Sequence, residues 1–165
     1  MRTTHDTSTV HTPNPGGPMT AAHAFHAMLL RVLRAPGQSR SARTVELFGW
    51  LMLVEGLAVG LAPHFAAAVL QLPALSEQAA NYFRLVGFLV TGLGILYTVS
   101  GRLNAGGFTF ASLIDRPLSP IAMALLWFFG IIPGPLALMF ALTDLATFLW
   151  TLHAWAAEAR AGTAG

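Results

Sequence analysis

The chain carries seven acidic and nine basic side chains in 165 residues, and most of them lie at the ends of long apolar runs. Glu55, Arg84, Asp115, Arg116 and Asp144 are the exceptions, because apolar sequence encloses them. A carboxylate carried into a bilayer on a helix costs about 2.5–3.5 kcal/mol on insertion scales, so it is usually paired, protonated or beside water. At about 1.5 Å per residue from the arginine-rich ends, Glu55 and Asp144 fall on the order of 16 Å deep, near mid-membrane. Arg116 begins roughly 12 Å inside, with a side chain long enough to reach either acid. Arg84, near the other face, has Glu55 or Glu77 within reach.

Such a set of charges supports three chemistries. As ion pairs and hydrogen bonds, the residues fix the order of the helices. As a relay, Glu55 and Asp144 pass protons or cations, with Arg116 and Arg84 as counter-charges. As a ligand or enzyme site, they orient a lipid or quinone. The structural role leads, because so small a bundle leaves little room for a water path unless it oligomerises.

Other chemistries are excluded or disfavoured. There is no cysteine, so disulfides, thiolate metal sites, iron–sulfur clusters and cysteine nucleophiles are ruled out. His64 and His153 lie near opposite membrane faces and His23 and His26 on a surface segment, so no convergent metal or haem ligand set is expected. No P-loop, GxGxxG after a strand, HExxH or GxSxG occurs. Every basic residue is an arginine, and these are scattered, which argues against nucleic acid as a partner. No cofactor is implied.

The elements that must position these residues are helices in a membrane. With 55% hydrophobic and 10% charged residues, the composition departs far from the roughly 25% charged of a soluble domain. Residues 1–19, rich in Thr, Pro, Gly and His, read as a disordered leader without the pattern of a secretory signal; Met19 and Met28 are alternative starts. Residues 20–43 read as an amphipathic surface helix and a polar linker. Phe25, Met28, Leu29, Val32 and Leu33 share one face opposite Arg31 and Arg34, and Pro36-Gly37 ends the helix.

Residues 44–156 read as a four-helix transmembrane bundle, followed by a tail over 157–165. Its spans run about 44–62, 79–99, 108–132 and 136–155, the last two joined by a tight Pro133-Gly134-Pro135 turn, with an interfacial segment at 64–72. Arg31, Arg34, Arg40, Arg43, Arg102, Arg116 and Arg160 fall on one side, so both termini are expected in the cytoplasm. Trp50, Tyr97, Trp150 and Trp155 are expected in one aromatic belt, Tyr82 and Trp127 in the other.

Small residues predict how the spans meet. Gly87, Thr91, Gly94, Thr98 and Gly101 recur every three or four residues in the second span. Gly49, Gly56 and Gly60 share a face of the first, with Gly56 and Gly60 forming a GxxxG. In the fourth, Leu138, Leu142, Leu145, Leu149 and Leu152 are expected to face lipid. Ala137, Ala141, Asp144, Thr147 and Thr151 are expected to face the bundle.

Over residues 45–156 the pattern resembles the DoxX-like group of small four-helix bacterial membrane proteins. The features are an apolar interfacial segment ending Leu72-Pro73, Gly101-Arg102 between spans, Arg116 to Pro120 in the third span, and a stretch opened by Asp144 in the fourth. The resemblance implies a four-helix fold in a bacterial inner membrane and assigns no catalytic residue. The expected function is that of a non-enzymatic accessory or scaffold subunit, packing against itself or a larger membrane complex. An oligomeric transporter using Glu55 and Asp144 is the main alternative, and a membrane enzyme acting on a lipid or quinone the third.

Overall fold

A computed structural model describes residues 21–162, so the leader assigned to residues 1–19 lies outside the described residues. Among these, all regular structure is helical: α1 (Ala21–Arg34), α2 (Arg40–Leu61), α3 (Pro63–Val69), α4 (Glu77–Arg102), α5 (Gly106–Asp115), α6 (Leu118–Phe128) and α7 (Gly134–Gly162). Three of them, α2, α4 and α7, are long and apolar enough to cross a membrane.

Local signals set the boundaries. Ser39 and Ser76 cap α2 and α4, each hydroxyl accepting from the backbone N–H three residues on. Pro63 opens α3 at a position where its missing N–H costs nothing. Gln71, Asn104 and Gly130 end α3, α4 and α6 in the left-handed region, with the following N–H returning to the last turn (Ala105 N to Ser100 O, 3.0 Å).

Several boundaries differ from expectation: Gly134 and Pro135, assigned to a turn, open α7, where Pro135 sits in the first turn at no hydrogen-bond cost, and α6 ends at Phe128, short of the expected Ile132. Arg40–Arg43, assigned to a linker, form the first turn of α2, because the Ser39 cap lets the helix begin there. Ala157 to Gly162, assigned to a tail, continue α7. The third expected span is split into α5 and α6 at Arg116-Pro117. Pro117 and Pro120 lack the N–H groups that would bond the carbonyls of Leu113 and Arg116, so the ladder breaks; Ser119 N reaches back to Arg116 O at 3.3 Å instead.

Helices α4, α2, α7 and α6 stand in a row of antiparallel neighbours, and α5 touches α2, α4 and α7 across one end. The most extensive contact is α2 against α4. Among the described residues α4 and α6 share none, so the row stays open toward the end where α3 lies. Few large side chains are buried: the core is Val45, Phe48 and Tyr97, with Met52 and Phe108 against it.

Candidate functional site

The α2–α4 contact is backbone against backbone. A Cβ at Gly49 would come within 2.5 Å of Thr98 N, one at Gly56 within 2.5 Å of Thr91 N, and one at Gly94 within 2.6 Å of Leu53 N. Gly101 sits equally close to Glu46 N and Ala42 O, and Gly87 touches Gly60. The two glycine and threonine stripes therefore face each other. Thr91 returns its hydroxyl to Gly87 O, while the buried Thr98 Oγ1 finds no partner among the described residues.

Arg116 is buried between α2, α4 and α7, at 2% exposure. Its Nη1 donates to Thr151 Oγ1 at 2.9 Å and to Thr147 O at 3.1 Å, and Thr151 Oγ1 lies 2.8 Å from Thr44 Oγ1. The guanidinium stacks 4.1 Å from the Phe48 ring centre and 5.6 Å from that of Tyr97, so ring quadrupoles face its charge. Nε and Nη2 have no hydrogen-bond partner among the described residues. Expected to reach Glu55 or Asp144, Arg116 bonds neither among the described residues and turns instead to a hydroxyl of α7 and rings of α2 and α4. Tyr97, expected in an interfacial belt, is buried between Phe48 and Phe108 and turns its hydroxyl to Asp115 at 3.4 Å.

The two mid-membrane acids differ. Asp144 is half-buried and accepts a hydrogen bond from Ser119, which ties α7 to α6. Glu55, also half-buried, accepts none among the described residues, and Asp144 lies close enough for its charge to act on it. Glu55 lines a cavity of about 390 Å³ whose other walls, including Phe65, Phe83, Val86, Leu136 and Phe140, are apolar. Arg84 is exposed and bonds Asn81 at 2.8 Å on its own helix, and among the described residues it pairs with neither Glu55 nor Glu77.

A second polar cluster, not singled out from sequence, joins the end of the bundle that holds the first turn of α2. Glu46 takes Arg102 Nε at 2.8 Å, Gln38 Nε2 at 2.7 Å and Trp50 Nε1 at 3.3 Å. Arg102 Nη1 also holds Val32 O of α1 at 3.2 Å. Ser41 gives its N–H and hydroxyl to Glu158 at 2.9 and 2.6 Å, and Asn104 bridges Ser39 and Gly37. Glu46 and Trp50 stand four apart on one helix, a faint signal; the remaining partners are up to 117 residues away and meet only in the fold.

Among the described residues no group of His, Asp and Glu side chains is placed to hold a metal ion. Compared with known proteins, the chain matches no family model, no curated protein and no solved structure. Among the described residues the protein is all-helical, and three of its helices, long and apolar, suggest a place in a membrane.

Proposed function

We propose that the chain is a four-crossing inner-membrane protein of DoxX-like architecture, acting as a non-enzymatic accessory or scaffold subunit. In this reading α5 and α6 together make the fourth crossing. Both halves and the residues between them keep right-handed helical angles (Arg116 φ −60°, ψ −40°; Pro117 φ −68°, ψ −16°), and a helix over 106–128 measures roughly 34 Å against a hydrocarbon core of about 30 Å. Helix α1 lies on the membrane surface, with Phe25, Met28, Leu29 and Leu33 exposed along it and Arg102 holding its end. The arginine-bearing ends of α1, α2, α4 and α7 gather at one end of the bundle, which supports cytoplasmic termini.

The observation that carries the subunit reading is how the buried polar groups are used. Arg116 links α5 to α7 and stacks on rings of α2 and α4, while Ser119 and Asp144 link α6 to α7. These contacts build a bundle whose outer faces, notably those of α6 and α7, remain apolar and uncovered.

The test is to purify the tagged protein from native membranes in mild detergent and size it. A defined homo-oligomer or a stoichiometric membrane partner is expected, and a lone monomer overturns the reading. Topology is checked with single cysteines at Ala74 and Gly107, both exposed and without hydrogen-bonding side chains, which are expected to label from opposite sides.

A transporter is the second reading, favoured by Glu55 alone: a carboxyl facing an apolar cavity without a hydrogen bond among the described residues. In proteoliposomes Glu55→Gln would then abolish a proton-coupled flux that the parent protein supports. The subunit reading expects no such flux in either.

A further inference from the structure

Where α2 begins and α7 ends, the two antiparallel helices leave a groove of about 440 Å³ on the outside of the bundle. Its α2 wall presents Arg40, Arg43 and, one turn further, Leu47; its α7 wall presents His153 and, one turn deeper, Trp150. Ala154 and Ala157 keep the floor low enough to admit a group between the helices. Arg40 and Arg43 bring two positive charges, and no acid lines the groove. The adjacent acid, Glu158, does not line the groove; it accepts from Ser41 N and Oγ and lies against the Arg40 backbone N–H, at the start of α2. Among the described residues neither arginine side chain makes an ion pair.

We propose that this groove binds the phosphate headgroup of an anionic phospholipid. The inference rests on the membrane reading above. Charge complementarity selects an anion, and the arrangement of the walls selects a lipid. The cations sit at the end of the helices, where headgroups lie, and the apolar Leu47 and Trp150 follow on the side toward the bilayer centre, where acyl chains begin. Trp150 is half-exposed there, with an indole suited to that boundary. The arginine forks bind the phosphate oxygens, and His153 supplies a ring N–H to the same group.

The experiment is native mass spectrometry of the full-length protein, released from nanodiscs holding equal parts phosphatidylglycerol and phosphatidylcholine. Retained phosphatidylglycerol is expected in excess, with a loss of roughly fivefold for each of Arg40→Gln and Arg43→Gln. The control is Arg31→Gln with Arg34→Gln, which removes two positive charges from the surface helix α1 and is expected to weaken the retained preference by less than either groove variant. The thermal midpoint of each variant in phosphatidylcholine alone checks folding; Arg43, whose side chain makes no hydrogen bond among the described residues, is the variant expected to keep it. Equal loss in the control would overturn the proposal in favour of a diffuse basic surface. Displacement of the lipid by millimolar glycerol phosphate would overturn it in favour of a soluble anion. Release of the protein from membranes by alkaline carbonate would overturn the membrane reading itself, whereas retention without lipid preference overturns the groove alone.

Discussion

Helices α2 and α7 are both long and apolar enough to cross a bilayer, yet within their most apolar stretches 39% of α2 is buried and only 11% of α7. Hydropathy does not separate them; side-chain size does. Along α2, Ala42, Gly49, Gly56 and Gly60 let the backbone of α4 come into contact, and that contact is continuous over five turns. Along α7, only Ala137, Thr151 and Ala154 are buried, and Leu138, Leu142, Leu145, Leu149 and Leu152 point outward. In lipid, apolar side chains gain little by leaving one apolar environment for another, so helices join where backbones can approach and polar groups can meet. One half of the molecule is thus held by absence of side chains. The other is held by a few hydrogen bonds.

The largest effect is expected where that contrast is sharpest, at two glycines of α4. A methyl group at Gly94 would meet Leu53 N at 2.6 Å and Gly49 O at 2.8 Å, both backbone atoms that cannot move aside. At Gly92, two residues away, nothing lies within 4 Å. Gly94→Ala is expected to separate α2 from α4 and cost about 3 kcal/mol. Gly92→Ala is expected to be neutral or to stabilise by up to about 1 kcal/mol, since alanine restricts the unfolded chain and suits a helix. Thermal midpoints in one detergent compare the two, and equal midpoints would remove the backbone-contact account of this half.

The close half is also the half most legible in the sequence, and the reason is physical. A stripe of Gly and Thr at helical spacing in an apolar run has few uses besides close approach, so Gly49, Gly56, Gly87 and Gly94 announce a contact before its partner is known. The splitting of the third span was less legible: Pro117 and Pro120 were visible, but a proline can kink a membrane helix without ending it. Tyr97 and Glu46 were not legible at all. A tyrosine near a helix end suits an interfacial belt; Phe48 of α2, together with Phe108, Asp115 and Arg116 brought in by α5, makes it a core residue. Glu46 depends on Arg102, 56 residues away, and on Gln38 in the preceding turn. For Glu55 and Asp144 the sequence marked the cost of burial but not its resolution, because whether Ser119 or a cavity faces an acid depends on where the neighbouring helices lie.

A middle-sized effect is expected at Ser119 and Asp144, the side-chain hydrogen bond joining α6 to α7. Single changes to alanine would each remove it, and a double-mutant cycle isolates it. Hydrogen bonds between membrane helices average about 0.6 kcal/mol and reach about 1.7, so a coupling energy of roughly 1 kcal/mol is expected. A matching cycle between Glu55 and Ser119 should give none. Coupling near zero for Asp144 with Ser119 would mean that α6 is held to α7 by apolar packing alone, as at Trp127 and Gly134, where the rings and backbone meet.

The smallest effect on the isolated bundle belongs to the outward leucines of α7. Leu145 and Leu149 are 42% and 53% exposed, and their replacement by alanine removes side chains that touch mainly surroundings. The thermal midpoint in detergent should shift by less than about 0.5 kcal/mol-equivalent for each. Assembly is a different measurement. If the leucine face is covered by a second copy or a partner subunit, the paired variant will lower the assembled fraction in mild detergent while leaving the midpoint of the monomer in place. A face that meets only lipid moves neither quantity, because one hydrocarbon surface serves lipid as well as another. The two readouts together therefore separate a helix that is merely outermost from one that is an interface.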